Sequence, residues 1–287
     1  MKKFDKVIYF TFVLVLFALI TACSSLTNSN NDGETDNSET NSQQNGDKNE
    51  EAGELYGKIK EKGVIEAGST SAGPPFTFLN PKTNEIEGMM IDIGERVAEE
   101  LDLEMNINPV EFTSLVPSIE GEKIDMVVAG LAKTEEREKA MNFSETVYTY
   151  GEVIVIPKDN DEIKSFEDLQ GKKVGVQEAS TSYDELKKHS DIDIQTYKTQ
   201  QDMAKELDFG RIDAFMPDYP IYVNLEKEMP ELTEDFKLAP DHESQWLNDI
   251  GLGVPKGEAQ LLDDVNKVIK EMEESGEIDE IIAKYED

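Results

Sequence analysis

The segment GEKIDMVVAGLAKTEER, residues 121–137, joins an apolar run to a polar loop and an arginine. The run at residues 124–130 is short and rich in β-branched residues, as in strands buried in a sheet. A similar pattern, FGRIDAFMPD, occurs at residues 209–218. Each copy is predicted to bring a strand end to the carboxyl edge of a sheet, where open α/β sheets bind ligands. The shared Ile-Asp pair alone can also be read as a simple helix-to-strand turn.

Apolar runs and amphipathic segments alternate from about residue 55 onward, which predicts an α/β fold. Gly210 and Gly276 stand where predicted helices end. Besides the segment above, strands are predicted at residues 64–68, 152–157, 173–177, 212–216 and 250–255, and helices at 88–101, 183–189, 201–210 and 257–276.

The composition restricts the possible partners. The chain has 287 residues, a formal net charge of -34 and 38% hydrophobic residues. This length allows one large domain or two of ordinary size, with a core over most of the chain. The acidic excess argues against nucleic acid and against anionic membrane surfaces as partners. We interpret it as a feature that keeps the protein soluble.

The N-terminus has the features of a targeting segment. Three lysines within the first six residues precede an apolar run at residues 7–20, which is too short for a comfortable transmembrane helix and fits a signal peptide. The motif LITAC ends at Cys23, the only cysteine, so an intrachain disulfide and a C-x-x-C site are excluded. The motif resembles a bacterial lipobox, which implies cleavage before Cys23 and a diacylglycerol on its sulfur. The alternative is an ordinary signal peptide or anchor with an incidental cysteine.

The N-terminal region is therefore predicted to contain two parts. Residues 1–22 form the signal peptide, and residues 23–54 comprise the lipidated cysteine and a disordered tether. The tether is rich in Asn, Ser, Thr, Asp and Glu and cannot bury enough apolar surface to fold. Attached acyl chains would hold the protein stably at the membrane. The expected location is extracytoplasmic, anchored to the cell membrane through Cys23.

Arg137 is the first candidate for ligand binding. Thr134 is predicted to cap a short helix at residues 135–141, whose free backbone N–H groups favour an anion. A guanidinium there can bind a carboxylate through two parallel hydrogen bonds. Gly130 would allow a ligand to approach the backbone closely. The alternative is a surface arginine paired with a neighbouring glutamate.

Asp218 is the natural counterpart of Arg137. It follows the second repeated strand as a lone carboxylate, which suits an ammonium ion. Its alternative role is to cap the turn before Tyr219 and Pro220.

Residues 60–285 resemble the bacterial extracellular solute-binding proteins of family 3, the polar amino-acid receptors of ABC importers. The resemblance implies an α/β, two-lobe periplasmic-binding-protein-like fold of type II, with two hinge strands near residues 147–151 and 246–250. Lobe 1 would comprise residues 55–149 and 251–287, and lobe 2 residues 150–250. The matching stretches, in the family order, are GSTSAGPPFTF, EGMMIDIGERVAEEL, EFTSLVPSIEGEKIDMVVAGLAKTEEREKAMNFSE, DLQGKKVGV, GRIDAFMPD and GEIDEIIAKY.

The resemblance also implies roles for individual residues. Arg137 would bind the ligand α-carboxylate, assisted by the Ala132 N–H, and the Gly130 carbonyl and Asp218 would hold the α-ammonium. The other implied contacts are Ser180 and Thr181 as donors to the carboxylate, Phe112 packed on the ligand, and Thr70, Gln177 and Glu178 at the side-chain pocket.

Several positions depart from the family pattern. Many members have an acidic residue where Thr70 stands, an aromatic residue at Gly73 and a hydroxyl residue at Ala132. Ala179 replaces a frequent glycine. The side-chain pocket is therefore altered, and we expect a ligand other than a typical basic amino acid. A small polar amino acid and a zwitterion with a cyclic or sulfur-containing body both fit.

The predicted function is capture of an amino-acid-like ligand and delivery to an ABC permease, by a monomer without a cofactor or metal. A ligand-sensing lipoprotein is one alternative. A cleft enzyme of the dehydratase type is another, disfavoured because the chain has only His189 and His242 and lacks the G-x-S-x-G, H-E-x-x-H and G-x-G-x-x-G motifs.

Overall fold

The structure is a computed structural model that describes residues 53–286. The predicted signal peptide, Cys23 and all but the end of the predicted tether lie outside the described residues. Within residues 53–286, no helix is long and apolar enough to cross a membrane.

The described residues alternate between short strands and helices, as the sequence predicts. The strands are β1 (Val64–Ser69), β2 (Ala72–Gly73), β3 (Thr77–Leu79), β4 (Ile86–Glu87), β5 (Glu104–Pro109), β6 (Met126–Val127), β7 (Met141–Phe143), β8 (Tyr148–Gly151), β9 (Val155–Pro157), β10 (Lys173–Gln177), β11 (Asp193–Tyr197), β12 (Ala214–Phe215), β13 (Phe236–Leu238), β14 (Leu247–Ile250) and β15 (Gly253–Pro255). The helices are α1 (Glu54–Lys62), α2 (Met89–Glu100), α3 (Leu115–Glu120), α4 (Arg137–Ala140), α5 (Thr181–Leu186), α6 (Gln200–Asp208), α7 (Tyr219–Glu228), α8 (Pro230–Thr233), α9 (Ala259–Ser275) and α10 (Glu277–Glu286).

Two five-stranded sheets form the centres of two lobes. The first has the order β5-β1-β6-β15-β7 and the second the order β11-β10-β12-β9-β13. In each sheet the first three strands and the fifth run in one direction, and the fourth strand, β15 or β9, runs antiparallel between its two neighbours. The C-terminal helices α9 and α10 pack on α2, so the end of the chain returns to the first lobe.

The two copies of the repeated sequence pattern occupy equivalent places. Each supplies the central strand of its sheet, β6 or β12. The aspartate before each strand fastens the neighbouring parallel strand: Asp125 Oδ2 accepts from the Glu66 N–H at 2.9 Å, and Asp213 Oδ2 accepts from the Lys173 N–H at 2.8 Å. The Ile-Asp pair therefore does secure a helix-to-strand turn, and the strand it starts still leads to the cleft.

An antiparallel ribbon of β8 and β14 connects the lobes, with Tyr148 opposite Ile250 and Gly151 opposite Leu247. The chain enters the second lobe through β8 and leaves it through β14. These strands fall at the two predicted hinges. Two connections of this kind allow the lobes to rotate about the ribbon while each core stays intact.

The repeated strands are shorter than predicted. Strand β6 covers Met126–Val127 rather than residues 124–130, and β12 covers Ala214–Phe215. Strand β1 pairs with β6 only at Ala67 and Gly68, so the chain leaves the sheet immediately afterwards. The buried residues that follow β6 belong to the loop that carries Gly130 to the cleft.

Candidate functional site

A cavity of about 280 Å³ lies between the two lobes. Each lobe supplies part of its wall from the loops that follow the central strands, as expected for a ligand site at the carboxyl ends of parallel strands. Five of the predicted site residues line this wall, namely Thr70, Phe112 and Gly130 from the first lobe and Gln177 and Asp218 from the second.

Gly130 is required by the packing behind the cavity as well as by the space inside it. A Cβ atom at this position would lie 2.6 Å from Cδ2 of Phe76, which is buried with only 2% of its surface exposed. Phe76 in turn contacts the ring of the hinge residue Tyr150, with 5.3 Å between ring centroids. The rings of Phe76, Tyr148 and Tyr150 form an aromatic cluster beside the hinge. The glycine lets the floor of the cleft pack directly on this cluster.

Arg137 is buried, with 8% of its surface exposed. Its Nη1 donates to the Ala132 carbonyl at 2.6 Å, and its Nη2 donates to the Ala179 carbonyl of the other lobe at 2.8 Å. Its guanidinium carbon lies 5.8 Å from the ring centroid of Phe112. Because a guanidinium has five N–H donors, these two bonds leave donors for a further acceptor.

The alternative of a surface ion pair for Arg137 is wrong. Among the described residues, no carboxylate lies within ion-pair distance of its guanidinium, and the nearby Glu136 pairs with Lys139 instead. Burial lowers the pKa of Arg137, and the nearby Tyr150 hydroxyl and the Asp184 and Asp218 carboxyl groups act in the opposite direction. A buried cation that lacks a counter-ion is costly, so this position favours binding of an anion.

The local structure before Arg137 differs from the predicted helix of residues 135–141. Helix α4 covers only Arg137–Ala140, and Met141 already belongs to β7. Thr134 does act at its start, since the Thr134 Oγ1 accepts from the Arg137 N–H at 3.2 Å. A helix of one turn contributes little dipole, so the guanidinium is the main source of positive potential here.

Arg137 lies behind the wall of the main cavity. It lines an adjoining cavity of about 320 Å³ together with Phe112 and Ala179, and Phe112 is common to both cavities. Ala132 is buried next to it, with 3% of its surface exposed.

Asp218 faces the cavity rather than capping the turn. It precedes α7, and its side chain makes no capping hydrogen bond to that helix. Burial raises the pKa of Asp218 to about 7. The nearby Tyr150 hydroxyl and the charge of Arg137 act in the opposite direction, and the buried Glu152 adds to the increase. A carboxylate that titrates near neutrality is sensitive to an arriving ammonium ion.

Ser180 and Thr181 are placed differently from the residues above. The Ser180 Oγ accepts from the Tyr183 N–H at 3.1 Å and so caps α5, and neither Ser180 nor Thr181 lines the two cavities. The preceding Ala179 has a φ of 59°, in the left-handed region that favours glycine. The contact of Ser180 and Thr181 with a ligand carboxylate stays a prediction.

The sequence departs from the family pattern at Thr70 and Gly73, which both line the cavity. The Thr70 and Thr77 hydroxyls hydrogen bond to each other at 2.6 Å. A Cβ atom on Gly73 would have the Thr70 hydroxyl as its nearest neighbour, at an ordinary 3.6 Å. The site at Gly73 therefore has room for at least a methyl group.

Sequence reasoning missed two residues of this region. Tyr150 on β8 contacts both Asp218 and the aromatic cluster, and its alternation with Tyr148 could have placed the two rings on one face of the strand. Gln200 opens α6 with only 3% of its surface exposed. The sequence gives little indication that Gln200 is buried, since a glutamine next to a helix cap is ordinarily exposed. In the described part of the chain, no cluster of His, Cys, Asp and Glu is arranged to hold a metal ion.

Two α/β lobes joined by two hinge strands, with a cleft between them, define the type II periplasmic-binding fold. The profile of the bacterial extracellular solute-binding proteins, family 3, matches residues 65–287, and the chain belongs to this family. The resemblance and the fold class predicted from the sequence are confirmed.

Individual relatives agree with this assignment. The L-cystine-binding protein TcyJ of Escherichia coli (strain K12) is 30% identical over 235 residues, which cover 80% of this chain and 85% of that protein. An ancestral arginine-binding protein bound to arginine superposes with a TM-score of 0.72 at 34% identity, covering 78% of this chain and 98% of the other. The ancestral amino acid-binding protein AncCDT-1, a precursor of cyclohexadienyl dehydratase, gives 0.73 at 29% identity, with coverage of 81% and 99%. These relatives are named as binding proteins, which supports a binding protein over an enzyme.

Proposed function

We propose that the protein captures an amino acid or an amino-acid-like zwitterion in the interlobe cleft and delivers it to an ABC importer. The observation that carries the proposal is the buried guanidinium of Arg137, which has no carboxylate partner in the described chain and lies beside the ligand-sized cavity. Asp218 on the other lobe supplies the complementary charge for an α-ammonium.

Closure of the lobes would follow from the way such a ligand is bound. Its carboxylate would reach Arg137 and its ammonium would reach Asp218, so the ligand would contact both lobes only when they are closed. A ligand shifts a conformational equilibrium by its difference in affinity for the two states. Ala132 and the Gly130 carbonyl would assist on the first lobe, and Thr70 and Gln177 would border the ligand side chain.

The membrane arrangement forms part of the same proposal. Relatives of the chain are named as binding proteins of ABC transporters, and Cys23 would carry the lipid that holds the protein at the outer face of the cell membrane. A monomer with lobe 1 at residues 55–149 and 251–287, and lobe 2 at residues 150–250, would then meet the permease. Mass spectrometry of the membrane-extracted protein would detect the diacylglycerol on Cys23.

A thermal-shift screen of the purified protein tests the proposed ligand class. The panel would contain α-amino acids, their amide and decarboxylated analogues, and zwitterionic osmolytes. A ligand that binds only the folded state stabilises it by about 2.7 kcal/mol at a hundredfold excess over Kd. We expect stabilisation only by compounds with both a free carboxylate and a free ammonium. Equal shifts with the decarboxylated analogues would rule out Arg137 as the anchor of the ligand.

A further inference from the structure

A cavity of about 510 Å³, called the second cavity below, adjoins the 280 Å³ cavity between the lobes. It is distinct from the cavity that Arg137 lines. The two cavities meet at Ser71, Ala72 and Ile221, which line both. The second cavity lies between the segment after β3 on the first lobe and helices α6 and α7 on the second. A ligand can therefore extend from the Asp218 end of the cleft into this second space without leaving the interface between the lobes.

A hydrogen-bonded chain of amides ends at Gln200, a residue that lines this second cavity. Gln177 Nε2 donates to the Lys198 carbonyl at 3.1 Å, which leaves Gln177 Oε1 to accept from Gln200 Nε2 at 3.3 Å. Because a carbonyl can only accept, the direction of the whole chain is fixed. Gln200 Oε1 is then the terminal group, and it is buried without a donor among the described residues.

Charges of both signs line the same cavity on opposite lobes. Lys82 comes from the first lobe and Glu228 from the end of α7 on the second. Within residues 53–286, neither side chain forms an ion pair, although many of the exposed charged groups of this chain do. The rest of the wall combines apolar residues, with Phe78 and Leu225 among them, and uncharged polar residues such as Asn80 and Asn224.

We propose that the second cavity receives a second α-amino-carboxylate head, so that the solute is a two-headed amino acid with a short apolar bridge. This inference rests on the proposed function, which places the first head between Arg137 and Asp218. Lys82 binds the second carboxylate, and Glu228 and Gln200 Oε1 accept from the second ammonium. The absence of a side chain at Gly73 leaves the bridge room to pass.

The test compares two-headed and one-headed probes by isothermal titration calorimetry. L-cystine and L-cystathionine carry two heads, and S-methyl-L-cysteine carries one head with the same kind of apolar extension. The double variant Lys82→Met with Glu228→Gln removes both charges of the second cavity. The matched control, Lys270→Met with Glu274→Gln, makes the same changes on the outer face of α9, where both side chains are exposed.

We expect a two-headed probe to bind the unmodified protein at least about tenfold more tightly than S-methyl-L-cysteine. The double variant should weaken that probe by about five- to tenfold, since both charges are exposed to solvent, and should leave the one-headed probe unchanged. The control variant should change neither.

Two other outcomes overturn the proposal in distinguishable ways. Equal affinity for one-headed and two-headed probes, unaffected by the double variant, refutes the second head while the proposed function stands. Failure of every probe and every α-amino acid to bind refutes the proposed function, and the second head with it.

Discussion

Arg137 Nη2 donates a 2.8 Å hydrogen bond to the carbonyl oxygen of Ala179, so that the proposed ligand anchor of one lobe also contacts the backbone of the other. The same guanidinium is held on its own lobe by the Ala132 carbonyl at 2.6 Å. Two fixed acceptors orient the plane of the guanidinium before a ligand arrives. Under the proposed function, recognition of a carboxylate and closure of the lobes would therefore depend on the same side chain.

Replacement of Arg137 should abolish tight binding without unfolding the protein. Arg137→Ala is expected to weaken binding of an α-amino acid by about 2–5 kcal/mol, because a desolvated carboxylate would lose its charged partner. Arg137→Lys should recover only part of this, since an ammonium cannot form two parallel bonds. Calorimetric titration measures the effect. Arg211→Ala, which removes an exposed arginine paired with Glu206, is the control and should bind normally.

Ala179 should be a position where glycine stabilises the protein. With a φ of 59°, its Cβ is strained, and Ala179→Gly is expected to raise the free energy of unfolding by about 1 kcal/mol. Urea denaturation of the ligand-free protein measures this difference. Ala140→Gly, at the end of α4 where no positive φ is found, is the contrasting change and should destabilise. Destabilisation by both changes would show that Ala179 carries no strain.

Much of the fold followed from local patterns. Helices α2, α6 and α9 and strands β1 and β10 begin and end within a few residues of their predicted bounds, because their apolar periodicity and terminal glycines are local features. The shortness of β6 was not predictable in this way. It depends on where the neighbouring strand β1 stops pairing, which is a property of the assembled sheet.

The candidate site was predicted less completely than the fold. The residues that follow the repeated strands, Gly130 and Asp218, could be placed because strand ends converge at one edge of a sheet. The position of Arg137 behind Phe112 depends on how the two lobes meet, and its contact with Ala179 crosses 42 residues of sequence. Gln200 is a candidate because its buried oxygen has no donor among the described residues, which is a property of the folded chain and not of the local sequence.

Ligand binding should weaken as the pH falls below about 7. Burial raises the pKa of Asp218 from 3.8 to about 7 in the ligand-free protein, and a bound ammonium favours the carboxylate and so lowers that pKa. Binding then releases a proton, and affinity should fall up to about tenfold per pH unit below 7 and level off above it. Titrations in buffers of different ionisation enthalpy measure the proton released. Asp218→Asn should bind weakly and without this pH dependence.

The stability of the ligand-free protein should change with pH in the opposite sense. Because the pKa of Asp218 is raised on folding, the folded state binds more protons than the unfolded state between about pH 4 and 7. The contribution of this group is therefore most favourable below pH 4 and is lost as the pH rises to 7. Comparing denaturation of the unmodified protein with that of Asp218→Asn isolates the contribution, and a difference that is constant from pH 4 to 7 would contradict the raised pKa.

Gly130→Ala should destabilise the protein and weaken binding, whereas Gly73→Ala should be tolerated. Both changes add one methyl group to the wall of the same cavity. At Gly130 the new carbon would lie 2.6 Å from the Phe76 ring, and overpacking of this kind costs about 1–3 kcal/mol. At Gly73 the nearest atom is 3.6 Å away, so no rearrangement is needed. Thermal denaturation and calorimetric titration of the two variants measure both effects, and equal losses at both positions would show that cavity volume, rather than contact with the aromatic cluster, controls the cleft.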